Sequence, residues 1–413
     1  MFSERTNWKL AQNRFTQALE QVRATGAKVL NLTVSNPTRA GLHYDAQAIL
    51  GALASPRALD YDPQPKGLHE ARKAIAGYYC EEHGVSDLDA ERIILTTSTS
   101  EGYSFVFRLL CNAGDELLVP KPSYPLFEFL ADLQDVRLKP YELIYDHGWQ
   151  MDWPSLEKAV TARTRGVVVV HPNNPTGSYV QAAEIEMLNS FCREHGLAVI
   201  ADEVFLDYRI GDFQESPGQG ANARPLHAPG GDDKLASSSS SFVANLEVLT
   251  FTLSGLSKIA ALPQMKVAWV VTTGPQRVIA EAMGRLEVIA DTYLSMNAPL
   301  QWAMPALLEQ RKKIQPQLMQ RVKENLAELD EQLAAQRTCE RLSVEGGWYA
   351  VLRVPVTRSD EELAIELLLE KSVLVHPGHF YDFPSDGYLV LSLITPREDF
   401  ADGIKAVLER LSS

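Results

Sequence analysis

Cysteine is scarce in this chain: four in 413 residues, Cys80, Cys111, Cys192 and Cys339, with no C-x-x-C pair among them. That spacing suggests neither a disulfide framework nor a zinc site, and it fits small core thiols in a reducing cytoplasm. Long apolar runs are missing as well, none approaching the roughly 18 residues needed to span a bilayer. The first 22 residues carry charges throughout and lack the apolar centre of a signal peptide. Basic residues are in the minority, 39 Lys and Arg against 53 Asp and Glu, for a formal net charge of -14. That balance leaves no basic stripe to displace phosphate counterions, which argues against a nucleic-acid partner. The expectation is a soluble cytoplasmic protein that engages neither membrane nor nucleic acid.

What is present is an ordinary globular composition, 45% apolar and 22% charged, over a length that suits two domains. From Arg92 onward strand and helix patterns alternate, with strands expected at 93–96, 116–119, 137–142, 166–171, 198–202, 248–253 and 267–271. The continuous run Val167 to Val170 suits a strand covered on both faces. The expected fold is α/β: a large domain over 46–297, with a mainly parallel sheet of about seven strands flanked by helices. A smaller α+β domain is expected from both chain ends, 1–45 and 298–413. In it, helical periodicity runs over 6–23, a strand over 28–34, and helix from 297 to 336 interrupted by Pro299, Pro305 and Pro316. The stretch 211–241, rich in Gly, Pro, Asp and Ser, reads as a flexible surface insertion.

The segment from Phe251 to Val271 organises the rest. A β-branched run ends in the small-residue turn Ser254-Gly255-Leu256-Ser257, which delivers Lys258 to a strand end. A buried ammonium either pairs or loses its proton, so Lys258 is a salt-bridge partner or a nucleophilic amine. Three other strand ends carry polar residues. Ile94 to Gly102 runs from a strand through hydroxyls into a helix, a phosphate cradle that an ordinary N-cap cluster also resembles. His171-Pro172-Asn173-Asn174-Pro175-Thr176-Gly177 leaves the Asn174 amide at a strand end, as donor to a ring oxygen or as a structural Asx-turn. Asp202 closes the apolar strand from Leu197, where it needs a cation: a protonated pyridine nitrogen or an arginine. Phosphate donors, a carboxylate, a carboxamide and an amine are together what a phosphorylated pyridine aldehyde requires.

On these residues the chain resembles the class I/II aminotransferases, pyridoxal-phosphate enzymes of fold type I similar to aspartate aminotransferase. The likeness runs from Tyr61-x5-Gly67 through Gly114-Asp115, Pro122-x-Tyr124, Asn173 to Gly177, Asp202-Glu203-Val204 and Ser257-Lys258 to Gly346-Gly347-Trp348. It implies that Lys258 forms the Schiff base with pyridoxal 5'-phosphate and that Asp202 pairs with the pyridine nitrogen. Asn174 would bond the ring hydroxyl, and Tyr124 would stack on the ring. Ser98, Thr99, Ser257 and Lys266 would hold the phosphate. Tyr61 would reach the phosphate of a neighbouring subunit, so the resemblance implies a homodimer with shared sites.

Several positions depart from that pattern. Phe205 stands where the family has a tyrosine, Lys266 where it has an arginine, and Gly255 where it has a serine, with Ser254 adjacent. Val390 occupies the place of the arginine that grips the substrate carboxylate. Arg397 and Arg353 are candidate replacements, and His379 and Tyr381, with Asn36 of the Ser35-Asn36-Pro37-Thr38 turn, are candidate lining residues. The expected reaction is ping-pong transfer of an amino group between an amino acid or amine and a 2-oxo acid. The alternatives are a β-eliminating C–S lyase or decarboxylase on the same scaffold and, more remotely, a non-catalytic cofactor-binding regulatory domain.

Overall fold

The computed structural model describes residues 1–8, 12–125, 127–211, 241–294 and 296–412. Eight strands form the central sheet: β1 (Ile93–Thr96), β2 (Glu116–Lys121), β3 (Arg137–Tyr145), β4 (Trp149–Met151), β5 (Thr164–Val170), β6 (Ala198–Asp202), β7 (Thr250–Gly255) and β8 (Ala268–Thr273). Their spatial order is β1-β8-β7-β6-β5-β2-β3-β4. The run β7-β6-β5-β2-β3 is parallel, β8 lies antiparallel to β7 and β1, and β4 is antiparallel to β3. Side chains of the central strands alternate between two cores. Val168, Val170 and Ile200 pack with Phe105 and Val106 on one face, while Val167, Val169 and Val199 pack with Leu188 and Phe191 on the other. Burial on both faces explains why these strands read as unbroken apolar runs. All seven expected strands are present. The additional β4 spans three residues after a tight turn, too short for a periodic signal.

The second sheet is antiparallel: β9 (Glu340–Arg341), β10 (Tyr349–Arg353), β11 (His376–Pro377) and β12 (Tyr388–Ser392), in the order β9-β10-β12-β11. Both chain ends enter its core. Phe15 and Val22 of the helix Arg14–Ala24 share one apolar cluster with Leu363, Leu367, Phe400 and Ile404. Leu30–Asn31 pairs in parallel with Val373–Leu374. The N-terminal helix begins later than its periodicity suggests because the Asn13 side chain caps it, accepting from Thr16 N at 2.8 Å. The expected strand over 28–34 shrinks to two residues because Asn31 Oδ1 accepts from both Thr33 N (2.8 Å) and Thr33 Oγ1 (2.7 Å), a local turn that competes with the ladder.

Between residues 297 and 336 the helices are Ala298–Glu309 and Arg311–Ala334, and the break falls at Gln310 rather than at a proline. The first packs Ala303, Met304 and Leu307 against Ile75 and Tyr79 of the helix His69–His83 and against Trp269 of β8. The second buries Ile314, Leu318 and Val322 in the cluster that holds β10 and β12. Of the stretch 211–241 expected as an insertion, residues 212–240 lie outside the described residues. Among the described residues no helix is long and apolar enough to cross a membrane.

Candidate active site

Strand register gathers the expected site residues at one edge of the central sheet. Thr96 of β1 lies opposite Ala268 of β8, which lies opposite Gly255 of β7. Ser98 follows the first of these by two residues, Lys266 precedes the second by two, and Ser257 follows the third by two. In the parallel part, Asp202 of β6 lies between Val170 of β5 and Leu253 of β7, so Asn174 and Lys258 leave the strands on either side of it. Glycine at 255 lets β7 and β8 close up just before the lysine. A Cβ there would stand 2.8 Å from Val267 O and 2.9 Å from Ala268 Cβ.

Ser98 is the N-cap of the helix Thr99–Leu110, its hydroxyl accepting from Glu101 N at 3.2 Å. The cluster is thus an N-cap, as the plain reading of the sequence allowed, and it also leaves first-turn N–H groups without intrahelical acceptors, which suits an anion. Lys266 is exposed, and its side chain makes no ion pair or hydrogen bond among the described residues. Tyr61 stands 81% exposed on the turn after Pro56–Leu59.

Lys258 lies in the short helix Leu256–Ile259, whose backbone is tied from two directions. Tyr208 donates its hydroxyl to Lys258 O at 2.5 Å. Gln315, from the helix Arg311–Ala334, donates to Ile259 O at 2.9 Å and to Asp207 Oδ2 at 2.6 Å. The other oxygen of Asp207 meets Tyr78 Oη (2.7 Å) and His83 Nε2 (3.0 Å). The lysine amine rests over aromatic faces, Nζ 4.9 Å from the Trp348 ring centre and 5.4 Å from that of Phe205. Burial brings its pKa down to about 8, against the pull of the Asp202 charge.

Asp202 is buried, which pushes its carboxyl pKa up; two donors work against that push, Val204 N to Oδ1 at 3.2 Å and Tyr103 Oη to Oδ2 at 2.9 Å. Asn174 is buried too, and its Oδ1 has no hydrogen-bond partner. Tyr124 sits half-exposed on the turn after β2, and its phenol is raised first by burial and then by the Asp202 charge. An amine that readily gives up its proton, a buried acid, an unpaired carboxamide and a helix start fit the pyridine aldehyde phosphate that the sequence suggests.

The substrate-side candidates divide: Tyr381 is buried near Tyr124, its carbonyl accepting from Ser123 N at 2.9 Å, while Arg397, Asn36 and His379 make their contacts elsewhere. Arg397 begins the last helix, largely exposed, with Nε 3.5 Å from Glu324 Oε2. Asn36 caps a 3-10 turn, its side chain accepting from Thr38 N at 3.0 Å. His379 is exposed with its ring edge-on to Phe380. None of the three shares a hydrogen bond, ion pair or ring contact with Lys258, Asp202 or Tyr124. Arg353 pairs with Glu340 at 3.0 Å. Val390 is buried in β12 between Val351 and His376. Sequence reasoning missed Tyr103, Tyr208 and the Asp207–His83–Gln315 node. Only Tyr103 left a signal: it lies four residues after Thr99, on the same face of a helix whose start was recognised.

The fold is α/β, and the residues at its strand ends have the chemistry that a phosphorylated pyridine aldehyde requires. The sequence profile of the aminotransferase class I and II family matches residues 27–398, and the chain belongs to that family, whose cofactor is pyridoxal phosphate and whose activity is amino-group transfer. It is 27% identical over 382 residues to the glutamate-pyruvate aminotransferase AlaA of Escherichia coli K12, covering 91% of this chain and 88% of that protein. It is 26% identical over 404 residues to an alanine aminotransferase of Mycobacterium tuberculosis, covering 96% and 88%. The solved alanine aminotransferase of Pyrococcus furiosus superposes with a TM-score of 0.84 over the whole of both chains at 22% identity, a likeness of fold.

Proposed function

We propose that this aminotransferase uses Lys258, Asp202 and Asn174 as its cofactor-binding and catalytic core, exchanging amino groups between an amino acid and a 2-oxo acid by a ping-pong route. The observation that carries the assignment is the convergence of a low-pKa amine and a buried carboxylate at the ends of β7 and β6, adjacent parallel strands. When bound, pyridoxal phosphate supplies an aldehyde that captures amines and a ring that takes up the electron pair left at a substrate carbon. Lys258 Nζ, partly neutral near pH 8, is the base that removes and returns the proton at the substrate α-carbon. Asp202 would meet the ring nitrogen as a carboxylate and keep it protonated. Asn174 would supply its carboxamide to the ring hydroxyl, Tyr124 would cover one ring face, and Ser98, Thr99, Ser257 and Lys266 would receive the phosphate.

Aromatic groups extend outward from Lys258: its amine rests over Trp348 and Phe205, Tyr349 stands edge-on to Phe205, and the phenols of Tyr381 and Tyr124 lie near that of Tyr349. Those groups favour donors with apolar or aromatic side chains. Alanine and glutamate, suggested by the names of the relatives, are the other donors to test first. Exposed Tyr61 is available to a second subunit, which supports a homodimer with shared sites. The same reading divides the chain into a cofactor-binding body and a smaller one built from both ends. It draws the second boundary at Gln310 rather than at 298, because Ala298–Glu309 packs on His69–His83.

The test is half-transamination. Wild-type protein loaded with cofactor should convert it to the amine form when given a competent donor, followed at visible wavelengths, and Lys258→Ala should slow this by at least about 100-fold. Survival of the reaction in that variant refutes the assignment. Release of ammonia and a 2-oxo acid without any acceptor would replace transfer by elimination.

A further inference from the structure

We infer that Tyr103 is a positioning residue for the cofactor ring: its phenol holds Asp202 as a hydrogen-bonded carboxylate facing the ring nitrogen. The inference rests on the reading of Asp202 given above and deepens it. Tyr103 is 2% exposed and donates its hydroxyl to Asp202 Oδ2 at 2.9 Å. It is the only side chain that donates to this carboxylate among the described residues, the other donor being Val204 N.

Neighbouring rings fix the phenol in place. Phe107 stands edge-on at 5.7 Å and Phe127 at 5.3 Å between ring centres. Both protein donors leave further lone pairs on the carboxylate, so an N–H from the ring side can still be accepted. The helix Thr99–Leu110 that carries Tyr103 is capped by Ser98, at the start proposed for the phosphate. One rigid element therefore sets the phosphate cradle and the orientation of the acid. Four residues of helix, about 6 Å of rise, separate Thr99 from Tyr103.

The chemistry runs in one direction. Burial favours the neutral acid, and a donor to the charged form opposes it. The phenol itself is held well above its ordinary pKa, by burial first and by the Asp202 charge next, so it stays a donor throughout the working range. The other titratable groups facing this pair are Lys258, which favours the carboxylate, and Tyr124. Without the phenol, Asp202 takes up a proton at higher pH and no longer pairs with a cationic ring nitrogen.

The experiment measures cofactor affinity from pH 5 to 9, with the pH titration of the bound cofactor's visible spectrum, for the wild type, Tyr103→Phe, Asp202→Asn and the double variant. Tyr103→Phe is expected to move the acid limb of binding upward by about one unit, a roughly tenfold loss of affinity on that limb. In the Asp202→Asn background, where there is no carboxylate to protonate, the same change should have little further effect. An unchanged acid limb in folded Tyr103→Phe overturns the inference, as does an equal loss in both backgrounds, which would mark a packing role. If Tyr103→Phe does not fold, 3-fluorotyrosine at position 103, a stronger donor, should shift the limb downward, and no shift overturns the inference. Should Asp202→Asn itself leave affinity and spectrum unaltered, the reading of Asp202 fails rather than that of Tyr103.

Discussion

Lys258 carries its proton less firmly than a free lysine because it is buried and the charge of Asp202 only partly compensates. In the cofactor-free protein this costs stability in a definite pH window. The folded pKa of about 8 lies below the reference 10.5, so between these values the unfolded chain binds the extra proton. Stability therefore rises with pH across that interval, and the cost of the buried charge is fully present below it. Lys258→Met should be more stable than the cofactor-free wild type at pH 7, by on the order of 1–3 kcal/mol, with the difference shrinking towards pH 10.5. Urea midpoints that differ equally at the two pH values would refute this. At Asn174 the unpaired Oδ1 leads to a second expectation. Asn174→Ala should cost little stability without cofactor and weaken cofactor affinity by about 1–3 kcal/mol, measured by fluorescence titration.

At the scale of elements, the short helix bearing Lys258 is positioned from outside itself. Tyr208 holds its carbonyl, and Gln315 links Ile259 to the Asp207–His83 pair. Burial opposes the charge on His83, but the hydrogen bond and charge of Asp207 prevail and its pKa is raised. The pair's contribution is fully present below the unfolded histidine value and is lost as pH rises through the folded one. Asp207→Asn should therefore destabilise by about 3 kcal/mol at pH 6 and by less at pH 9, as read from urea denaturation. Equal losses at both values would argue that the histidine is neutral. These ties could not be read from the chain, because each joins residues at least fifty positions apart with no shared motif. What could be read was local. The Val167–Val170 run, the Asn-Pro turns and the strand-end Asp202 and Lys258 each follow from nearby residues. Where local reading overshot, as at 28–34, a single side chain, Asn31, offered the backbone a competing bond.

For the whole molecule, the exposed Tyr61 makes a prediction about assembly. Sedimentation should show a two-chain particle, and Tyr61→Ala should lower cofactor affinity without altering the isolated chain's fold. Mixing that variant with Lys258→Ala under conditions that exchange subunits should regenerate intact sites, up to about a quarter of the total. No recovery on mixing would mean that each site is built from one chain. The substrate side was the least legible part, since Val390, Arg397 and Arg353 give no common direction in the sequence: Arg353 lies on the strand beside Val390 but pairs with Glu340, and Arg397 begins the last helix near Glu324.

The register that lines up the ends of β1, β8 and β7 beside β6 has a mechanical consequence. A ligand seated there stitches together segments as distant in the chain as Ser98 and Lys266, and no single strand can peel away without letting go of it. Occupancy would then act as a clamp on global unfolding, deepening with free ligand concentration, and loss of colour on heating should coincide with loss of the fold.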